Sequence, residues 1–323
     1  MEPNDFLLSS PKKIFFYGIK PYRFRVFCMY TSVIAGFVCG YSLPYFLKVI
    51  ADKISTTHQI AYSLSDFYTP LFCIFLILVG QELFFRIGHI LETFITVRVF
   101  DRVTTKIYKT LINRPTAFFE QTFSGELNRY LEQIGSGVKF FIDFFPWEIG
   151  WIVVAPLVTI VLLAQANMWL VLVFIVWFLL FVLVSFFSLR WIYRQSKNIS
   201  ESYGELSGAV VDVFANTSIV HGFAAYDYEY MRYRGYMDAV ISAERRERKI
   251  EIFNKFQQGI SVLLLVLSLV TTGIFLFIKN LITVGDFLII AAIIPTFIDI
   301  VRSGGDVVIK AVHNYADFKN AIA

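Results

Sequence analysis

The chain has 323 residues, of which 57% are hydrophobic and only 17% charged, with a mean hydropathy of +0.63. A soluble domain is about 45–50% apolar and about 25% charged, so lipid must be part of the solvent here, and intrinsic disorder is excluded by the same composition. Cys28, Cys39 and Cys73 lie in apolar runs without CxxC spacing, which excludes a disulfide scaffold, a structural zinc site and a thioredoxin-like site, while the net charge of +4 matters less than where the charges fall.

A bilayer-crossing helix needs about 20 mainly apolar residues. Six stretches meet that length: about Phe24 to Ile50, Pro70 to about Thr96, Phe144 to Ala164, Trp169 to Leu189, Ile260 to Ile278, and Phe287 to about Ser303. Only Gln165–Met168 separate the third from the fourth, which predicts a tight helical hairpin. The N-terminus does not read as a cleaved signal peptide, because the first apolar run is far longer than an h-region of about 7–15 residues. Of the 29 Lys and Arg, 25 fall in the N-terminal segment, the second-to-third and fourth-to-fifth connections, and the tail. Only Lys53 and Lys279 lie clearly in the opposite loops. By the positive-inside bias, both termini are expected in the cytoplasm.

The outer connections are short, whereas the inner ones, about 97–141 and 190–256, are long and poor in glycine and proline. Apolar residues recur in them at helical spacing, as Val99, Val103, Ile107 and Leu111, and as Leu206, Val210 and Val213. The spans are therefore expected to continue as long helices, a limb of about 20 residues reaching about 30 Å. The first hairpin is expected to break at Arg114-Pro115 and again near Ser124-Gly125, since Pro115 has no N–H for a helix interior. In the second, the break is expected between Asn216-Thr217-Ser218 and His221-Gly222. Both tips carry aromatic residues at turns that otherwise face water, as a partner surface or as staples between the limbs.

The layout resembles the membrane domain of type I ABC exporters, and local sequences agree in order and spacing along nearly the whole chain. Ile19-Lys20-Pro21-Tyr22-Arg23 is similar to the family's "lkPyr" before the first span, following an amphipathic interfacial segment at Lys13–Ile19. Phe118-Phe119-Glu120 with Gly125-Glu126-Leu127 resembles the "sFFe…tGeL" of the first coupling helix. Leu206-Ser207-Gly208 through Phe223 resembles the stretch leading to the second, and Ile282–Phe287 resembles the "ltvGdlv" that opens the sixth span. Two positions depart from the pattern: Arg129 falls one place early, and Ile134 stands where the family has Asp.

The resemblance implies an all-α membrane fold in three parts. Residues 1–23 are a cytoplasmic N-terminus with an interfacial helix, 24–310 the six-helix domain, and 311–323 the start of a linker towards a nucleotide-binding domain. It implies a permease half that works as a dimer, with a second copy or a homologous half-transporter, in contact with membrane lipid and with an ATPase domain or subunit. Phe118, Phe119, Phe123, Gly125, Glu126, Phe223 and Tyr226 are the motor-coupling candidates. No GxxxxGK[ST] and no LSGGQ-like sequence occurs in the 323 residues, so no catalytic, cofactor or metal site is expected on this chain, and ATP and magnesium would belong to the motor. A bacterial inner membrane is the expected location.

Intramembrane ionisable groups are functional candidates by default. Glu82, Arg86 and His89, with Thr93 and Thr96 beyond them, share a helical face and are either a polar stripe on the transport path or a self-neutralising pair at a helix contact. Asp299, Arg302 and Asp306 in the sixth span are expected to be interfacial. Pro44, Pro156, Pro295 and Gly304-Gly305 are possible kink positions. Arg245-Arg246-Glu247-Arg248-Lys249 is read as a stop at the anionic inner leaflet rather than a nucleic-acid site. Two other readings stay open: a motor-free, proton-coupled transporter of the same membrane architecture, and a membrane scaffold that transports nothing.

Overall fold

The computed structural model describes residues 10–56, 64–121 and 124–322, which contain helices and turns and no strand. Ten α-helices follow in order: α1 (Pro11–Ile19), α2 (Arg23–Thr56), α3 (Tyr68–Ile112), α4 (Thr116–Gln121), α5 (Ser124–Phe144), α6 (Gly150–Ala166), α7 (Met168–Ala215), α8 (Thr217–Gly222), α9 (Tyr226–Ile278) and α10 (Val284–Asn320). Six continuous helical stretches are long and apolar enough to cross a bilayer, in the places the hydropathy predicts. The chain divides into two compact units, residues 1–174 with 268–323, and residues 175–267.

The core of the first unit is set by a four-residue rhythm. Ile95, Val99, Val103 and Ile107 of α3 and Ile134, Val138 and Ile142 of α5 are buried together with Ile14 of α1, Met29 of α2 and Phe318 of α10. Steps of four keep these side chains on one face of each helix, so the two limbs of the first hairpin zip along their length. Ile134 thus occupies a core position, which suits an aliphatic residue there. α1 lies against α3 so closely that a Cβ on Gly18 would stand 2.7 Å from Val99 Cγ1. Arg102 fixes the same contact, donating through Nε to the Tyr17 carbonyl at 3.4 Å and covering the Tyr17 ring.

The helix breaks follow local chemistry. α3 ends just before Asn113-Arg114-Pro115, and α6 and α7 are separated by Asn167 alone. Pro44, Pro156 and Pro295 sit inside helices that continue through them. Between α5 and α6 lies a feature the hydropathy does not announce, a π-helical turn at Phe145–Ile149. Pro146 has no N–H to give to the carbonyl one turn earlier, and the ladder widens there. After α9, Asn280 takes a left-handed conformation (φ 54°), and Leu281 N–H closes back on the Leu276 carbonyl at 2.9 Å. Thr283 then starts α10 with a capping box, its hydroxyl accepting from Asp286 N–H while the Asp286 carboxylate accepts from Thr283 N–H.

The second unit is an antiparallel hairpin. Trp177 Nε1 donates to the Ser261 carbonyl at 2.8 Å, Ser188 meets Gln257 at 3.3 Å, and the Tyr203 hydroxyl donates to Glu244 at 2.8 Å. That last bond, together with the Glu244 charge, raises the Tyr203 pKa. Leu206 is buried in this hairpin and Val210 and Val213 are half-buried, as their spacing predicts.

Candidate functional site

Both tips are built the same way: a long helix, a six-residue helix, then another long helix. In the first, Phe118 is half-buried and meets the 41%-exposed Phe119 edge to face, with ring centroids 5.4 Å apart. Phe123 lies outside the described residues. Gly125 and Glu126 stand in the first turn of α5, with the Glu126 side chain outside the described set. In the second, Ala224 rather than a glycine takes the left-handed position after α8 (φ 48°), and Ala225 N–H bonds the Val220 carbonyl at 3.0 Å. This closed turn leaves Phe223 82% exposed, and Tyr226, also exposed, rests edge-on against His221 at 5.5 Å. Beneath it Arg232 bonds both Asp212 (3.2 Å) and Glu229 (3.4 Å), so the limbs are tied by charge while the aromatic residues at the turn stay free of that tie.

The intramembrane stripe divides into two environments. Glu82 and Arg86 are 68% and 74% exposed at their side chains and approach only to 3.7 Å, so they form neither a buried pair nor part of the interior of the first unit. His89 turns inward at one edge: its ring stacks on Trp147 at 4.1 Å, and its Nδ1 lies 3.2 Å from Glu92 Oε2. The Glu92 carboxylate also accepts from Trp147 Nε1 at 2.6 Å. Glu92 and Trp147 were not singled out by sequence, although Glu92 follows His89 by three residues, the spacing of helical neighbours. Among the described residues no ion pair joins Asp299 to Arg302, and both are exposed.

One helix face away from the charged stripe, α2, α3, α6 and α10 line a half-open cavity of about 370 Å³. Phe37 and Tyr41 of α2 stack with centroids 6.1 Å apart, and Phe37 meets Phe85 of α3 edge to face at 5.1 Å. Phe85 in turn touches Trp147 at 5.5 Å, so an aromatic run leads from Tyr41 to His89. Gln81, Thr159 and Thr296 add neutral polar groups to the lining. Pro44 lines it too, and supplies no N–H to the Gly40 carbonyl one turn before it.

Comparison with known proteins agrees with this architecture. The sequence model described as "ABC transporter transmembrane region" matches residues 26–301. Among solved structures, the chain is similar to a bacterial Atm1-family ABC exporter with ATP bound, with a TM-score of 0.71 and 18% identity, over 93% of this chain and 54% of that one. The chain thus spans about half the length of that exporter. No curated protein matches the sequence.

Proposed function

We propose a function on one premise: this chain belongs to the ABC transporter transmembrane-region family. It is the membrane half of an ATP-driven exporter, resident in a bacterial inner membrane with both termini in the cytoplasm. Two such halves, identical or homologous, form the substrate path and alternate between inward-open and outward-open states. The two tips are the coupling elements, where nucleotide-binding domains dock. ATP and magnesium are held by those domains, and this chain carries no covalent chemistry of its own.

The observation that carries this reading is the pairing of α4 with Phe119 and α8 with Phe223. Two short helices occur at the two turns, each with an exposed aromatic side chain beside it. Binding energy at an interface concentrates in a few aromatic or Arg anchors. Phe118 and Tyr226 extend the apolar surface, Phe123 follows α4 in the sequence, and Gly125 and Glu126 lie where α5 begins. The test is co-purification of a nucleotide-binding domain, and its ATPase stimulation, with Phe119→Ala and Phe223→Ala. Each is expected to insert and dimerise like the parent and to lose about 2 kcal/mol or more of motor binding. If both bind and couple as the parent does, the tips only staple their own hairpins and the ATP-driven reading fails.

A further inference from the structure

Where α5 gives way to the π-helical turn, two carboxylates from different helices stand in unlike surroundings. Glu92 of α3, its side chain 21% exposed, accepts from Trp147 Nε1 at 2.6 Å and has His89 Nδ1 at 3.2 Å. Asp143 of α5 is half-buried, and its one hydrogen-bond partner among the described residues is the buried Thr96 hydroxyl at 3.1 Å. That hydroxyl also lies 2.7 Å from the Glu92 carbonyl, the closer of its two contacts. A hydroxyl has one hydrogen and two acceptor sites. With the hydrogen committed to the Glu92 carbonyl, the contact with Asp143 needs a hydrogen of its own, and a protonated carboxyl supplies it. The donors then run one way, from Asp143 Oδ1 through Thr96 Oγ1 to the backbone of α3. The charges around Asp143 fit this order. Glu92 acts on it electrostatically, so ionising both would set two like charges against each other. Lys139, one turn before Asp143, is the cation that acts on it, but it is exposed and forms no ion pair with it among the described residues. α2 brings the half-buried Tyr30 phenol. α1 and α10 meet this stretch through Phe15, Tyr315 and Phe318, of which only the exposed Tyr315 titrates. The π-helical turn itself carries Glu148, and α6 has no titratable residue.

We propose that Asp143 is a proton-binding site, and that release of its proton to water loosens the π-helical turn between α5 and α6. The turn is held at two points by one face of α3. Thr96 holds Asp143, just before the turn, and Glu92, one helical turn from Thr96, holds Trp147 within it. An ionised Asp143 no longer donates to Thr96, and it repels Glu92, so both anchors weaken together. α5 is the limb that returns from the first tip, and the turn is its joint with α6. On the topology proposed above, this joint lies at the cytoplasmic side, where cytoplasmic pH sets its stiffness. Neither ATP nor a motor enters the proposal.

The test uses the full chain in nanodiscs of zwitterionic lipid, titrated with pH in the absence of ATP and motor. Infrared spectra record the carboxylic C=O stretch, which carboxylates lack. The difference between the parent and Asp143→Asn, which keeps a donor for Thr96 and cannot ionise, is expected to contain one carboxylic band that disappears as pH rises. Hydrogen exchange of the same samples, corrected for the intrinsic pH dependence of exchange, reads the amides of the π-helical turn. Their protection should fall about tenfold across the transition in the parent, the change that one lost hydrogen bond supports, and hold its low-pH level in Asp143→Asn. Thr96→Val removes the acceptor at nearly constant shape, and stands in if Asp143→Asn fails to fold. Its carboxylic band should disappear at lower pH than the parent's. A difference spectrum without the band, or a band lost only in Glu92→Gln, overturns the proposal. So does an unchanged transition in a folded Thr96→Val, or protection of the turn that follows pH equally in the parent and Asp143→Asn. Because the motor is absent, failure here leaves the coupling-tip reading standing, and failure of coupling leaves the proton site intact.

Discussion

Lys48 near the end of α2 and Asp286 in the first turn of α10 form an ion pair with both side chains largely withdrawn from solvent. Asp286 serves two purposes at once. Its Oδ2 accepts from Thr283 N–H at 2.9 Å and from the Thr283 hydroxyl at 3.0 Å, while Oδ1 is left to the Lys48 ammonium. Asp52 secures the same junction by accepting from Gly285 N–H at 2.8 Å. A Cβ on Gly285 would fall 2.5 Å from the Lys48 carbonyl, so the two helix ends meet at backbone contact.

Removing one member of this pair strands the other charge. Lys48→Met is expected to destabilise the chain by about 3 kcal/mol, the usual cost of leaving a buried partner uncompensated. Adding Asp286→Asn to Lys48→Met should recover part of that loss, because no bare carboxylate remains. Thermal unfolding of both single variants and the double variant in one detergent reads the coupling. Strictly additive losses would mean that the pair contributes nothing beyond its separate contacts.

Trp147 and Glu92 provide a second check, at the π-helical turn. Trp147→Phe keeps a ring against His89 and Phe37 but deletes the N–H that reaches Glu92 at 2.6 Å. Hydrogen bonds to ionised groups contribute about 1.5–3 kcal/mol, so a loss in that range is expected. Glu92→Gln retains an acceptor oxygen and should cost less. A neutral Trp147→Phe beside a costly Glu92→Gln would show that the carboxylate is anchored by something other than the indole.

Orientation can be tested with single cysteines in a background lacking Cys28, Cys39 and Cys73. A cysteine at Asn280, in the turn between α9 and α10, should react with an impermeant maleimide added outside intact cells. Cysteines at Phe119 and Tyr226 should react only after the membrane is opened. Labelling at Asn280 solely in opened membranes would reverse the topology derived from the Lys and Arg distribution.

The number of spans, the long limbs and the two tips are legible in the sequence because each rests on a strong contrast. Apolar runs of span length, charge bias between loops, and Pro115 each have one physical meaning. Helix rotation is another matter. On α3, apolar residues occur all around the helix, since lipid is as apolar as the core, and hydropathy then does not say which side faces inward. The charge rule drew attention to Glu82 and Arg86, which turn out exposed, while the neutral Gln81 and Phe85 line the cavity. The π-helical turn was equally hidden: Pro146 alone predicts a break, yet the chain stays helical through it.

That rotation of α3 yields the last prediction. Glu82 and Arg86 are exposed and 3.7 Å apart, a geometry in which a solvated pair contributes about 0–1 kcal/mol. In a bilayer, however, either charge alone would face an apolar or partner surface without its neutralising neighbour. The double variant Glu82→Gln with Arg86→Gln should therefore be tolerated better than either single change, and should transport like the parent. Gln81→Leu changes no charge and removes an amide from the cavity lining, so it should insert normally and weaken transport. The measurement is transport into inverted vesicles, normalised to the amount of dimer in the membrane. Loss of transport in the double variant with a normal Gln81→Leu would place the substrate path along the charged stripe and not through the aromatic cavity.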